Sequence, residues 1–175
     1  MNQPKSDASV SLGIAVLTVS DTRGPENDTS GDFLATALQD FGHRLAQRAL
    51  VPDDIYRIRA ELSHWIADAS VNAVLVTGGT GFSGRDSTPE AVSVLFDKHI
   101  EGFGEVFRAL SLQEIGSSTV QSRALAGLAN RTAIFCMPGS TGACRTGWNG
   151  ILRDQLDSRH RPCNFVTVLT TPGSP

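Results

Sequence analysis

The sequence has few cysteines, no block of like charge and no long apolar run, and each scarcity excludes something. Three cysteines occur in 175 residues, Cys136, Cys144 and Cys163. No two have CxxC spacing, which argues against a disulfide scaffold. An odd count suits a reducing compartment, so a cytoplasmic protein is expected. The four histidines, His43, His64, His99 and His160, have no metal-ligand spacing with one another or with a cysteine. The formal charge of −3 is spread along the chain without a basic patch, so no nucleic-acid partner is expected. The first apolar run, Leu12 to Val19, contains Gly13 and Thr18 and follows a stretch with only Lys5 as a basic residue. It is too short for a membrane span and poorly flanked for a secretory signal, so no membrane association is expected. No internal repeat or low-complexity tract appears.

What remains is an ordinary globular composition, 40% hydrophobic and 19% charged. The length suits one domain with a self-sufficient core. Residues 1–11 and 170–175 are polar and rich in Pro, Ser and Gly, and are expected to be loose tails around a single domain, 12–169. Within it, apolar strands alternate with amphipathic helices. Strands are expected at 14–19, 44–51, 71–77, 133–137 and 165–169. Helices are expected at 32–41, from Pro52 through Ile66, at 88–98, 102–115 and 142–156. Gly42 is placed to end the first helix, and Ser87-Thr-Pro-Glu90 reads as a capping box with proline in the first turn. Strands apolar on both faces belong to a parallel sheet covered on both sides. The expected fold is a three-layer α/β/α sandwich with a mostly parallel central sheet.

Such sheets bind ligands outside the carboxyl ends of their strands. Those ends carry Ser20-Asp21-Thr22-Arg23, then Thr77-Gly-Gly-Thr-Gly-Phe-Ser-Gly-Arg-Asp86, then Pro138-Gly-Ser-Thr-Gly142. All three combine glycine with Ser, Thr or Asp, a composition that suits phosphates because glycine lets backbone N–H groups approach an anion and hydroxyls add donors. Two known motifs half-fit the second loop. Gly79, Gly81 and Gly84 satisfy GxGxxG, but the helix opens only near Thr88 and no ribose-binding acid follows at the required distance. Gly79 and Gly84 have the outer spacing of a nucleotide phosphate loop, but Arg85-Asp86 stands where Lys-Ser/Thr belongs. A tight turn alone would explain one glycine, not four within seven residues.

Thr77-Gly-Gly-Thr-Gly81, with Arg85-Asp86 and Thr88-Pro-Glu-Ala91, resembles the signature of the MoaB/MogA family of molybdenum-cofactor biosynthesis. Val19-Ser-Asp21, Asp28-Thr-Ser-Gly31, Val51-Pro-Asp53 and Met137-Pro-Gly139 extend the resemblance over about 13–168. From Glu101–Phe107 to Arg161–Phe165 the resemblance is nearest to the MoaB branch. The resemblance implies that molybdopterin's terminal phosphate attacks the α-phosphate of ATP, releasing pyrophosphate and leaving adenylylated molybdopterin. Phosphoryl-type transfer needs positioning and charge neutralisation, which carboxylates supply by holding Mg²⁺. Asp86 and Asp53 are therefore the expected catalytic and Mg²⁺-holding residues. The expected ligand-binding set is Ser20, Asp21, Thr77, Gly78, Gly79, Thr80, Gly81, Ser83, Pro138, Gly139, Ser140 and Thr141. For Asp53 and Asp21 the residues alone leave a helix N-cap open as the alternative, and Arg85 reads either as added charge or as surface. Position 87 is Ser where the MogA branch usually carries an apolar residue.

Two other classes stay open: a molybdopterin-binding protein without turnover, and a scaffold, against which the absence of long linkers argues. The resemblance also implies a homo-oligomer, a trimer or hexamer, and the apolar residues Phe103, Val106, Phe107, Leu110 and Leu112 cover more of their helix than one narrow stripe. Trp65 and Trp148 are expected in the core, Cys136 is expected to be inert, and neither Cys144 nor Cys163 is placed with a base. Gly79→Ala and Gly81→Ala are both expected to weaken ligand binding while leaving the fold largely intact.

Overall fold

The structure, a computed structural model, describes residues 8–171. In chain order it comprises β1 (Gly13–Val19), α1 (Thr29–Asp40), β2 (Arg44–Val51), α2 (Ile55–Ala67), β3 (Ala73–Thr77), α3 (Thr88–Val92), β4 (Lys98–His99), α4 (Glu101–Ile115), β5 (Leu125–Ala129), β6 (Thr132–Met137), α5 (Thr141–Gly147), α6 (Arg153–Gln155) and α7 (Val166–Thr170). A π-helical turn, Trp148–Leu152, joins α5 to α6, and a 3-10 segment, Gly116–Gln121, follows α4. Helix starts are set by side-chain acceptors for the otherwise unpaired first N–H groups. Asp28 accepts from Gly31 N at α1, Asp54 from Tyr56 N and Arg57 N at α2, and Ser140 from Ala143 N at α5. Gly42, at φ +102°, follows the end of α1 and donates to the Gln39 carbonyl.

The sheet order is β2-β1-β3-β6-β5-β4. The first four strands are parallel, whereas β5 pairs antiparallel with β6 and with β4. Every residue of β1, β3 and β6 is buried. Alternation divides them between two cores. Ile14, Val16, Leu75 and Phe135 pack with Leu34, Leu38, Phe103, Phe107 and Trp148 on one face. Ala15, Leu17, Val76 and Ile134 pack with Ile58, Leu62 and Trp65 on the other. Each such large side chain contributes about 1.5–3 kcal/mol by burial. The three-layer α/β/α reading therefore holds, and Trp65, Trp148 and Cys136 are core residues. Among the described residues no helix is long and apolar enough to cross a membrane.

Two expected elements and one expected cap are corrected. Residues 165–169 are not a strand: Val166–Thr170 is helix α7, with Asn164 Oδ1 accepting from Val166 N and with Val166 and Leu169 turned into the core. The helix expected over 88–98 ends at Val92, followed by a 3-10 turn and the short β4. Ser87 forms no capping box, because its hydroxyl donates to Asp53. Strand β5 was not foreseen. It joins β6 through Asn130 and Arg131, at φ +45° and +67°, the sign pattern of a type I′ hairpin turn. Of the expected tails, residues 1–7 and 172–175 lie outside the described residues. Ser9 donates to Asp157 and Ser11 to the Gly42 carbonyl, and Thr170 ends α7.

His43 is buried, and its Nδ1 accepts from Leu12 N at 3.2 Å. Burial pushes the imidazole below its ordinary value, with the charge of Asp157 opposing. The unfolded chain binds the proton more readily, so the stability contributed by neutral His43 is fully present above about pH 6.5 and is lost as pH falls through the lower folded value. Between pH 7.5 and 5.5 the melting temperature is expected to fall, and the His43 share of the unfolding free energy to fall no more steeply than one proton allows, about 1.4 kcal/mol per pH unit. His43→Asn, which retains an acceptor for Leu12 N, is expected to flatten that fall; an equal slope in both proteins refutes the assignment.

Candidate functional site

Strands β1, β3 and β6 are neighbours, so the loops leaving their carboxyl ends converge. Together they line a cleft of about 580 Å³. From the first loop come Ser20, Asp21, Thr22 and Arg23. The glycine loop supplies Gly78, Gly79, Thr80, Gly81, Ser83, Arg85 and Asp86, and the third loop supplies Pro138, Gly139 and Ser140. Asp53 enters from the β2–α2 junction.

The glycine loop is fixed from below by backbone pairs. Gly78 N donates to the Met137 carbonyl, and Thr88 donates through its hydroxyl to Gly78 O and through its N–H to Gly79 O. Gly79 sits at φ +65°, where a side chain is strained, and a Cβ there would stand 2.3 Å from Thr88 Oγ1 and 2.6 Å from Asp53 Oδ2. The loop's inner surface is thus backbone, flanked by Asp53 at one end and Asp86 at the other.

Asp53 is not the cap of α2, since Asp54 holds that place. Its Oδ1 instead accepts from the N–H of Ser87 at 3.0 Å and from its hydroxyl at 2.5 Å, tying the start of α3 to the start of α2. Asp86 Oδ2 accepts from Ser83 N at 2.8 Å. Hydrogen bonding by Ser83, helped by the Gly81 N–H and the Arg123 charge, holds Asp86 below the usual carboxylate range against its partial burial. Asp21 caps no helix either. It accepts a two-pronged ion pair from Arg85, both contacts at 3.0 Å, and a third bond from Asp53 N. The Arg85 bond, with the Asp53 N–H, lowers the Asp21 carboxyl. Arg85 thereby links the first loop to the glycine loop across the cleft's edge.

The remaining expected residues divide. Ser20 Oγ accepts from Thr22 N and Arg23 N and shapes its own turn. Thr77 is fully buried beneath the cleft, donating to the Pro138 carbonyl and accepting from the Cys144 thiol. Burial pushes Cys144 up to about 11, so it carries no thiolate at neutral pH. Thr141 lies outside the lining, paired with Thr29 at 3.0 Å. Sequence reasoning missed Arg23, a cation on the cleft that donates to Ser30, and Ser30 itself, which donates to Gly139 O. The signal for Ser30 was present in Asp28-Thr-Ser-Gly31, a family match, and that for Arg23 in the loop Ser20-Asp21-Thr22-Arg23 that ends the first strand. It also missed Ile115, Ser118, Gln121 and Ser122, which rim the cleft from the end of α4 and the 3-10 segment.

Asp21, Asp53 and Asp86 face only Arg23 and Arg85 among the ionisable lining residues. A polyphosphate entering this cleft meets one excess negative charge and needs an accompanying cation. Among the described residues no group of three or more His, Cys, Asp and Glu could hold a metal ion by itself. Asp21 is taken up by its ion pair with Arg85, and the chemistry of the remaining two carboxylates, Asp53 and Asp86, would suit an ion that arrives with phosphates and keeps several waters, the habit of Mg²⁺.

A mostly parallel sandwich with glycine and hydroxyl loops and three carboxylates at its carboxyl edge defines the class of α/β protein that binds a ligand at that edge. Residues 15–158 match the family described as "Probable molybdopterin binding domain". The molybdenum cofactor biosynthesis protein B of Escherichia coli (strain K12) is 58% identical over 152 residues, 87% of this chain and 89% of that protein. A crystal structure of a molybdenum cofactor biosynthesis protein B superposes with a TM-score of 0.82 at 42% identity, covering 85% of this chain and 93% of the other. The tungsten cofactor synthesizing protein MoaB from Pyrococcus furiosus gives 0.74 at 37% identity, covering 82% and 92%. The chain belongs to the molybdopterin-binding domain family of molybdenum cofactor biosynthesis.

Proposed function

We propose that the chain binds molybdopterin and adenylylates it with MgATP. The observation that carries this reading is the placement of two phosphate-type loops, after β3 and after β6, on one cleft that also holds Asp53 and Asp86. One loop can take each of the two phosphate-bearing reactants. In the reaction, an oxygen of molybdopterin's terminal phosphate forms a bond to the α-phosphorus of ATP. The bond from that phosphorus to the bridging oxygen breaks, and the electron pair leaves with pyrophosphate. The glycine loop holds the polyphosphate with its N–H groups, Arg23 adds a cation, and Pro138–Ser140 orients the pterin's phosphate. Mg²⁺, bound with ATP and held by Asp86 with Asp53, would supply positive charge to the phosphate oxygens. The setting is the cytoplasm, a reading supported by three unpaired thiols.

Mixing the protein with molybdopterin and MgATP is expected to yield adenylylated pterin and pyrophosphate in equal amounts. Retained pterin binding without product would leave a binding protein. One observation favours that second reading: Asp86 is already engaged with Ser83 in its own loop.

The assembly is proposed to be a trimer or hexamer. On α4 the apolar residues do split. Phe103 and Phe107 are buried, while Val106, Leu112 and Ile115, with Val120 just beyond, are exposed. Light scattering at micromolar concentration is expected to return a multiple of three protomers; a protomer mass rejects it.

A further inference from the structure

One residue outside the cleft's lining binds more of the glycine loop than any within it. Arg123, on the segment entering β5, reaches the loop from its outer side. Its Nε donates to the carbonyls of Gly81 at 2.9 Å and Thr80 at 3.3 Å. Its Nη2 donates to Gly81 O at 2.6 Å and to Asp86 O at 2.9 Å. The other nitrogen pairs with Glu90 on α3, and the guanidinium carbon lies 5.1 Å from the centre of the Phe82 ring.

A loop that offers N–H groups to an anion must turn its carbonyls the other way, and those outward carbonyls need donors. A planar fork can collect three at once, and it adds a positive charge behind the loop. The Asp86 carbonyl is among the three, so the same fork sets the backbone from which the Asp86 carboxylate projects. We propose that Arg123 is the positioning residue of the polyphosphate loop: it fixes the direction of the loop's N–H groups and of Asp86, and so governs the nucleotide but not the pterin. This rests on the reading of the cleft as a nucleotide site given above. Arg123 itself touches no substrate.

The test is calorimetric titration of the full chain with MgATP and, separately, with molybdopterin, for the parent, Arg123→Gln and Arg123→Lys. MgATP affinity is expected to fall about thirtyfold in the Gln variant and about tenfold in the Lys variant, since an ammonium keeps the charge but cannot bridge three carbonyls. Molybdopterin affinity is expected to stay within about twofold, because the pterin's loop is held elsewhere. If the Gln variant does not fold, the Lys variant decides alone. Full MgATP affinity in the Lys variant shows that charge suffices, and overturns the positioning role. A lowered melting temperature with parent-like MgATP affinity in both variants makes Arg123 a structural tie only, and also overturns it. A parent that binds MgATP but makes no adenylylated pterin defeats the adenylyltransferase reading and leaves the affinity comparison decisive for Arg123. A parent without MgATP affinity defeats both.

Discussion

Replacing Asp86 with Asn is expected to lower the rate of adenylylated-pterin formation at least about a hundredfold, roughly 2.7 kcal/mol of barrier. Charge grows on the leaving pyrophosphate as the phosphorus–oxygen bond breaks. A carboxylate that keeps positive charge at that position lowers the barrier more than it strengthens ground-state binding. The cleft has an acid in excess, so each carboxylate must have a positive partner when phosphates are present. Asn retains one oxygen able to accept from Ser83 N, the bond that holds the loop's tip. Folding is therefore expected to survive, with molybdopterin affinity nearly unchanged. The alternative makes Asp86 a loop fastener only. That view expects a lower melting temperature and normal turnover. Measuring the melting temperature and the rate of product formation on one preparation separates the two, and parent-like turnover removes Asp86 from the metal-holding role.

Gly79→Ala carries the other large effect. At φ +65° a side chain costs on the order of 1–3 kcal/mol in backbone strain. The new Cβ would also stand 2.3 Å from the hydroxyl of buried Thr88 and 2.6 Å from Asp53. Thr88 cannot yield freely, since that hydroxyl holds Gly78 O. The start of α3 or the Asp53 carboxylate must move. MgATP affinity is expected to fall at least about tenfold, as backbone N–H groups lose close approach, and the melting temperature is expected to drop by several degrees, about 2–4 °C per kcal/mol. Gly81→Ala differs. The atoms nearest its Cβ all belong to the Asp86 carboxylate, with Oδ2 at 2.7 Å. It is expected to keep the parent's melting temperature and weaken binding. Residue type alone assigns both substitutions the same outcome; the geometry separates them, and equal melting temperatures for the two variants contradict it.

The central strands were legible because their chemistry has one reading. Ile14 to Val19 is apolar but for Thr18 and Ala133 to Met137 is apolar throughout, a pattern that fits a doubly covered strand. That the three loops share one cleft was legible because loops leaving the carboxyl ends of neighbouring parallel strands converge. Phe165 to Leu169 failed for the converse reason. Phe-Val-Thr-Val-Leu, four apolar residues around one threonine, fits a strand or a buried helix turn, and periodicity over that length does not choose. Its answer came from Asn164, an acceptor for the first free N–H. Leu125 to Ala129 was invisible because Leu-Ala-Gly-Leu-Ala has low strand propensity; it is a strand because β6 needs a neighbour on that side. Arg123 was missed with it, since only the course of β5 brings that residue to the glycine loop. Asp53 was rightly placed at the carboxyl edge, but its bond to Ser87 could not be read from two residues far apart in sequence.

The reversed course of β5 bears on how the molecule acquires its site. Leu125 pairs with Cys136, so the entry of β5, and Arg123 before it, meets the exits of the parallel strands. Asp21, Asp53, the glycine loop, Arg123 and Gly139 come from every quarter of the chain, and no short fragment contains the cleft, whose lining runs from Val19 to Ser140. Parallel pairings such as β1–β3 and β3–β6 must close long connections before their contacts repay the lost entropy. Affinity therefore appears only when the whole sheet is assembled, and it is coupled to global stability. A ligand held at a hundred times its Kd adds about 2.7 kcal/mol to the stability of the entire domain. A chain emerging during synthesis remains without that support until β6 has joined the sheet.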